Sequence, residues 1–122
     1  MARMSEAVKQ AVSEIRPSMV ATASKSGKPN VSAKGSLRVL DDEHLIFADT
    51  NSLRTIANLL ENPQVSIILL NAARLGCRIW GQAEVISSGE LIDTMNAHLA
   101  QRGLNLTAKH AVKIKVDEAI AF

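Results

Sequence analysis

Apolar positions along this chain recur with two different periods, and the switches between them outline a fold. Val8, Ala11, Val12 and Ile15 lie three and four apart, with Glu6, Lys9, Gln10 and Glu14 between them. This spacing predicts a short amphipathic helix, capped by Ser5 and closed by Pro17. Met19 to Ser24 is short, apolar and suited to a strand, and "SKSGKP" (Ser24 to Pro29) has hairpin-loop chemistry. From Asn30 to Leu40 the period becomes two. Asn30, Ser32, Lys34, Ser36 and Arg38 fall on one face; Val31, Ala33, Gly35, Leu37 and Val39 fall on the other. The pattern predicts one long half-buried strand with the second set toward the core. Its small residues, Ala33 and Gly35, imply a close approach or a bend. Asp41 to His44 reads as a turn and Leu45 to Ala48 as the next strand, so 19–48 is expected to form a three-stranded meander.

Helical spacing returns at Leu53, Ile56, Leu59 and Leu60, the expected buried stripe of a second helix that must stop before Pro63. Val65 to Leu70 is a continuous apolar run, hence a buried strand. Arg74 to Ser87 reads as a longer strand whose Gly76 and Gly81 mark bulges or barrel corners. A third helix opens at Ser88 or Gly89 and runs to about Arg102, with Ile92, Met95 and Leu99 on its apolar face and Gly103 as C-cap. Ala111 to Val116 alternates again, and the "DEAIAF" tail is free to fold back or pair. Five or six strands, hairpin turns and only short helices favour a small antiparallel barrel over a doubly wound sheet.

Composition narrows the partners. A chain of 122 residues, 47% apolar, is expected to be a single domain, 1–122, with a core of its own. A net charge of +2, two Phe, one Trp and no Tyr provide neither the basic surface nor the aromatic platforms of a nucleic-acid binder. No stretch has the length of a signal peptide's apolar core or of a membrane span, so no membrane partner is expected. The single cysteine, Cys77, rules out an intrachain disulfide and points to a reducing, cytoplasmic setting.

Candidate chemistry is sparse. His44, His98 and His110 are scattered and Cys77 has no companion thiol, so no metal site is expected. Cys77 falls within a strand, where a small buried hydrophobe is its ordinary role. There is no nucleophile elbow, dinucleotide fingerprint or P-loop. The lead lies in "FADTNSLRTIANLLENP", where an apolar run breaks into small polar residues and then a helix begins with an arginine. Free backbone N–H groups already make a helix start positive, and Arg54 adds to that charge. If the strand bearing Ser32, Lys34 and Ser36 lies beside Ser52, Arg54 and Thr55, these groups converge on an anion such as a phosphate. The plainer alternative is that Asn51 or Ser52 caps the helix and Arg54 pairs with Asp49 or Glu61.

Three stretches, in order, resemble the flavin-binding split-barrel family that includes pyridoxamine 5′-phosphate oxidase. They are "MVATASKSGKPNVSAKGSLRVLDDEHLIFADT", "TNSLRTIANLLENPQVSIIL" and "GCRIWGQAEVI". The resemblance implies a mainly β fold with short helices, a six-stranded antiparallel split β-barrel. It also implies a homodimer with FMN at the interface and a redox role as a small oxidoreductase or electron-transfer protein. The flavin phosphate would be held at Arg54 and Thr55, beside Ser52. The flavin would lie along Ser32, Ala33 and Lys34, with Ala48 and Asp49 contacting its ring. Thr55 stands where the oxidase commonly has a second basic residue, as in the smaller electron-transfer-type members. The oxidase's C-terminal tryptophan and arginine have no counterpart up to Phe122, so oxidation of pyridoxamine phosphate itself is not expected. Trp80 is expected in core or dimer packing rather than over a ring. The redox partner or small-molecule substrate is not specified. Other occupants on the same fold are a deazaflavin, haem with an axial ligand from His44, His98 or His110, or flavin held as a reservoir or sensor without turnover. A ligand-free dimer with an Arg54–Asp49 pair is a further alternative.

Overall fold

The computed structural model describes residues 2–122. Its elements, in chain order, are α1 (Glu6–Glu14), β1 (Ser18–Ala23), β2 (Pro29–Lys34), β3 (Arg38–Asp41), β4 (His44–Asp49), α2 (Leu53–Glu61), β5 (Gln64–Leu70), β6 (Gly76–Ile86), α3 (Glu90–Gln101) and β7 (His110–Ala121). All seven strands join one sheet in the order β2-β1-β5-β6-β7-β4-β3, and every pairing is antiparallel. None of the helices is long and apolar enough to cross a membrane.

The two edge strands, β2 and β3, are neighbours in sequence, separated only by Gly35, Ser36 and Leu37. Four residue steps, from Lys34 to Arg38, span at most about 14 Å. The sheet must therefore curl until its edges approach, giving a barrel that stays open between β2 and β3, a split barrel. The expected continuous strand over 30–40 thus becomes two strands, the count rises from six to seven, and the three-stranded meander does not form. Instead, β2 pairs with β1 on one edge while β3 pairs with β4 on the other.

The break also changes which face is inside. Val31, Ala33 and Gly35, expected in the core, are exposed, whereas Lys34 and Ser36 are buried and Ser32 half-buried. In the ladder, Ser32 lies opposite Val20 and Lys34 opposite Ser18, both buried. Residues directly opposite one another share a face, so the polar set of β2 points inward. It can do so because α2 covers that end and supplies partners: Ser32 Oγ lies 3.0 Å from Thr55 Oγ1, and Lys34 Nζ donates to Ser52 Oγ. Ser36 and Leu37 are consecutive and both buried, which marks where the parity slips. Beyond it, Val39 packs against the core as expected.

α2 buries Thr55, Ile56 and Leu59, while Leu53 and Leu60, expected in its buried stripe, remain 75% and 71% exposed. Thr55 takes an inner place because Ser32 is there to bond it. Two cores result. The barrel interior holds Val20, Leu45, Phe47, Ile67 and Ile79, closed at one end by Val8 and Val12 of α1. The second core, outside the barrel under α3, joins Ile46 and Ala48 to Met95, Leu99 and Ala111. With one face in each core, β4 is buried along nearly its whole length, which accounts for its unbroken apolar run.

The glycines of β6 have separate reasons. The register shifts between Trp80 and Gly81, so of the two expectations there, bulge or barrel corner, the ladder has the irregularity of a bulge. A Cβ on Gly81 would stand 2.4 Å from the Lys115 carbonyl oxygen. One on Gly76 would stand 1.8 Å from that of Leu69. The tail pairs rather than fraying: β7 continues past Val116 so that Ala121 lies opposite Cys77. Cys77 is fully buried, and burial pushes its thiol up to about 11, in keeping with a packing role.

Candidate functional site

The crossing from β2 to β3, the end of β4 and the end of α3 meet around a cleft of about 230 Å3. One wall is Ala33, Lys34, Gly35 and Ser36; the floor and far corner are Ala48, Thr50, Asn51 and Ser52. The third side is Leu99 and Arg102 of α3 and its C-cap, with Leu104 and Leu106 of the following loop. Among the described residues its charged lining is Lys34 and Arg102, with no carboxylate.

Lys34 is only 8% exposed. Its Nζ is 5.6 Å from the centre of the Phe47 ring and donates to Ser52 Oγ at the start of α2. Burial lowers its pKa, and the nearby Asp49 carboxylate offsets part of that. Asp49 does not itself line the cleft. It is 2% exposed, accepting from the Ser52 N–H through Oδ1 at 2.5 Å and meeting His110 Nδ1 through Oδ2 at 2.7 Å. Burial opposes its charge, but the bonds from His110 and Ser52 outweigh that and hold the carboxyl below its ordinary range. Asp49 thereby shapes the turn into α2 and leaves Ser52 Oγ for Lys34. Ser36 plays a similar part on the other wall: its Oγ accepts from the Ala48 N–H at 2.9 Å and ties the crossing to β4.

Of the sequence-derived candidates, Ala33, Lys34, Ala48 and Ser52 line the cleft together. Ser32 and Thr55 bond each other behind it, and Asp49 is turned away. Arg54 stands apart. It lines a neighbouring notch of about 40 Å3 with Ser24, Lys28, Pro29, Asn30 and Asn58, so it and Lys34 do not converge on one point. The alternative pairing of Arg54 with Asp49 or Glu61 does not form: Asp49 is engaged by Ser52 and His110, and Glu61 accepts from the Lys25 N–H. Among the described residues Arg54 makes no ion pair.

Sequence reasoning missed Arg102 and the loop leucines. Arg102 donates through one Nη to the Gly35 carbonyl oxygen at 2.6 Å, across 67 positions, a contact no local pattern signals. The histidines differ in setting. His44 meets Asp41 at 2.8 Å and His110 meets Asp49, while His98 Nε2 is buried with no partner among the described residues. Burial, then Arg38, Arg102 and Arg16, push the His98 imidazole pKa down.

Comparison with known proteins agrees with this architecture. Residues 4–121 match the family model described as pyridoxamine 5′-phosphate oxidase. The uncharacterized protein MJ0282 of Methanocaldococcus jannaschii is 36% identical over 101 residues, covering 81% of this chain and 68% of that one. Among solved structures, HupZ of Group A Streptococcus superposes with a TM-score of 0.88 at 25% identity, over 98% of this chain and 94% of that one. An FMN-binding protein from Syntrophomonas wolfei gives 0.86 at 18%, over 95% and 84%. HutZ, the heme storage protein from Vibrio cholerae, gives 0.75 at 22%, over 98% and 95%. The last two similarities are of fold alone. With nearly its whole length matched by the family model and its split barrel shared by these structures, the chain belongs to the pyridoxamine 5′-phosphate oxidase family.

Proposed function

We propose that this protein binds FMN and serves as a small oxidoreductase or electron-transfer protein. The observation that carries the reading is the charge of the cleft: two cations line it, no carboxylate does, and one cation is a buried lysine bonded to a helix start. Such a site suits an anionic ligand with a flat apolar body. The FMN-binding relative from Syntrophomonas wolfei supports the choice of cofactor. Ala33, Ala48 and Leu99 would wall the ring, and Lys34 and Ser52 would hold its polar edge. Arg54, in the adjoining notch, would hold the phosphate, with the Ser32–Thr55 pair between them. FMN supplies the redox chemistry; the chain binds it, orients it and excludes water.

The protein is further proposed to act as a homodimer through the outer face of β2, β1, β5 and β6. Val31, Ala21, Ser66 and Trp80 lie opposite one another there, and Met19, Ile68 and Arg78 form the next row. These rows line a groove of about 290 Å3, with Val31 66% exposed. An apolar surface of this kind marks a contact site.

The test is the visible spectrum of the purified protein and the mass of the released ligand. Flavin absorption and the mass of FMN are expected; the mass also separates FMN from a deazaflavin. Arg54→Ala should weaken FMN binding about ten- to a hundredfold with the fold intact. Equal affinity in the variant overturns the placement of the phosphate. One observation favours a second reading, haem. The His110 ring is held through Nδ1 by Asp49, as metal-binding histidines usually are, and HutZ shares the fold. A Soret band in place of flavin absorption would select it.

A further inference from the structure

The loop between α3 and β7 is built as part of the cleft. Gly103 adopts φ +71° and ends α3, while at its far end the Ala108 N–H donates to Asn96 Oδ1 at 2.7 Å. Between these anchors Leu104 and Leu106 line the cleft although they are 37% and 52% exposed. Leucines left partly open to water on the eight-residue connection, 102–109, forgo part of their burial in the free protein. The Arg102 bond to the Gly35 carbonyl ties the start of this loop to the opposite wall, one residue from Lys34. The polar groups lie on the strand side and at the α2 start; the loop side is apolar apart from Arg102.

We propose that Leu104 and Leu106 form the wall against which the planar ring of the bound ligand packs. The inference rests on the flavin reading. It assigns ring recognition to the α3–β7 loop and leaves phosphate recognition to Arg54. The two functions are separable with riboflavin, which has the ring and lacks the phosphate.

The experiment titrates FMN and riboflavin into wild type, Leu104→Ala/Leu106→Ala, Leu104→Met/Leu106→Met and Arg54→Ala, following the quenching of flavin fluorescence. Circular dichroism confirms that each variant is folded. The double alanine variant is expected to weaken both ligands by the same factor, about tenfold or more, leaving their affinity ratio unchanged. The methionine variant, which keeps apolar area, should bind nearly as wild type. Arg54→Ala should change the ratio instead. Undiminished riboflavin binding by the double alanine variant overturns the inference while the flavin reading stands. Failure of the wild type to bind either flavin overturns that reading and the inference with it.

Discussion

At the scale of single residues, the site depends on how buried polar groups are satisfied. Asp49 is the clearest case. Buried and ionised, it is held by one backbone N–H and one imidazole. Asp49→Ala would leave both without their partner and should cost about 1–3 kcal/mol at neutral pH. The pH dependence follows from its depressed carboxyl. A group with a lowered folded pKa contributes fully above its unfolded value, near 4, and loses that contribution as pH falls through the folded value. Urea unfolding from pH 7 downward should therefore show a gap between wild type and variant that closes only in acid. A gap that stays constant with pH would contradict this account. Lys34 illustrates the converse. Its burial disfavours its charge, so an anion entering the cleft would restore what burial removes.

Elements owe their boundaries to close approaches as much as to propensity. Gly81 sits at the β6 bulge, where a side chain would meet the Lys115 carbonyl and the Ile114 Cγ2 at 2.4 and 2.9 Å. Gly81→Ala should lower stability by about 1–3 kcal/mol, because rigid strand backbone must move. Gly35 presents the opposite case despite lying in the crossing between the sheet's edges. A Cβ there would meet nothing within 4 Å, so Gly35→Ala should leave the melting temperature unchanged. Paired thermal melts check both, and equal destabilisation would remove the distinction. The bend at 35–37 is thus enforced by the pairing of β2 and β3 with different strands rather than by glycine.

The whole molecule presents an apolar outer face on four adjacent strands. Sedimentation equilibrium is expected to show a dimer. Val31→Asp combined with Ile68→Asp should give a folded monomer, since paired carboxylates on the two faces cannot be desolvated together. A dimer that survives both changes would place the interface elsewhere.

The local chemistry of this sequence was enough for the helices near their true bounds, the strands of β1, β4, β5 and β6, the Ser5 cap and the Gly81 bulge, whereas the C-cap of α3 is Arg102, with Gly103 following it at φ +71°. Hydrophobic period, cap residues and turn residues act over a few positions and are written directly in the chain. The same pattern put Val31 and Ala33 inside, because alternation states that a strand has two faces and not which one the rest of the protein covers. Only the tertiary structure decided that, by laying α2 over Ser32 and Lys34 and giving each a hydroxyl partner. It likewise separated Arg54 from Lys34, turned Asp49 toward His110 and brought Arg102 to Gly35. These are contacts across many positions, set by how a seven-stranded sheet must curl when only three residues join its two edges.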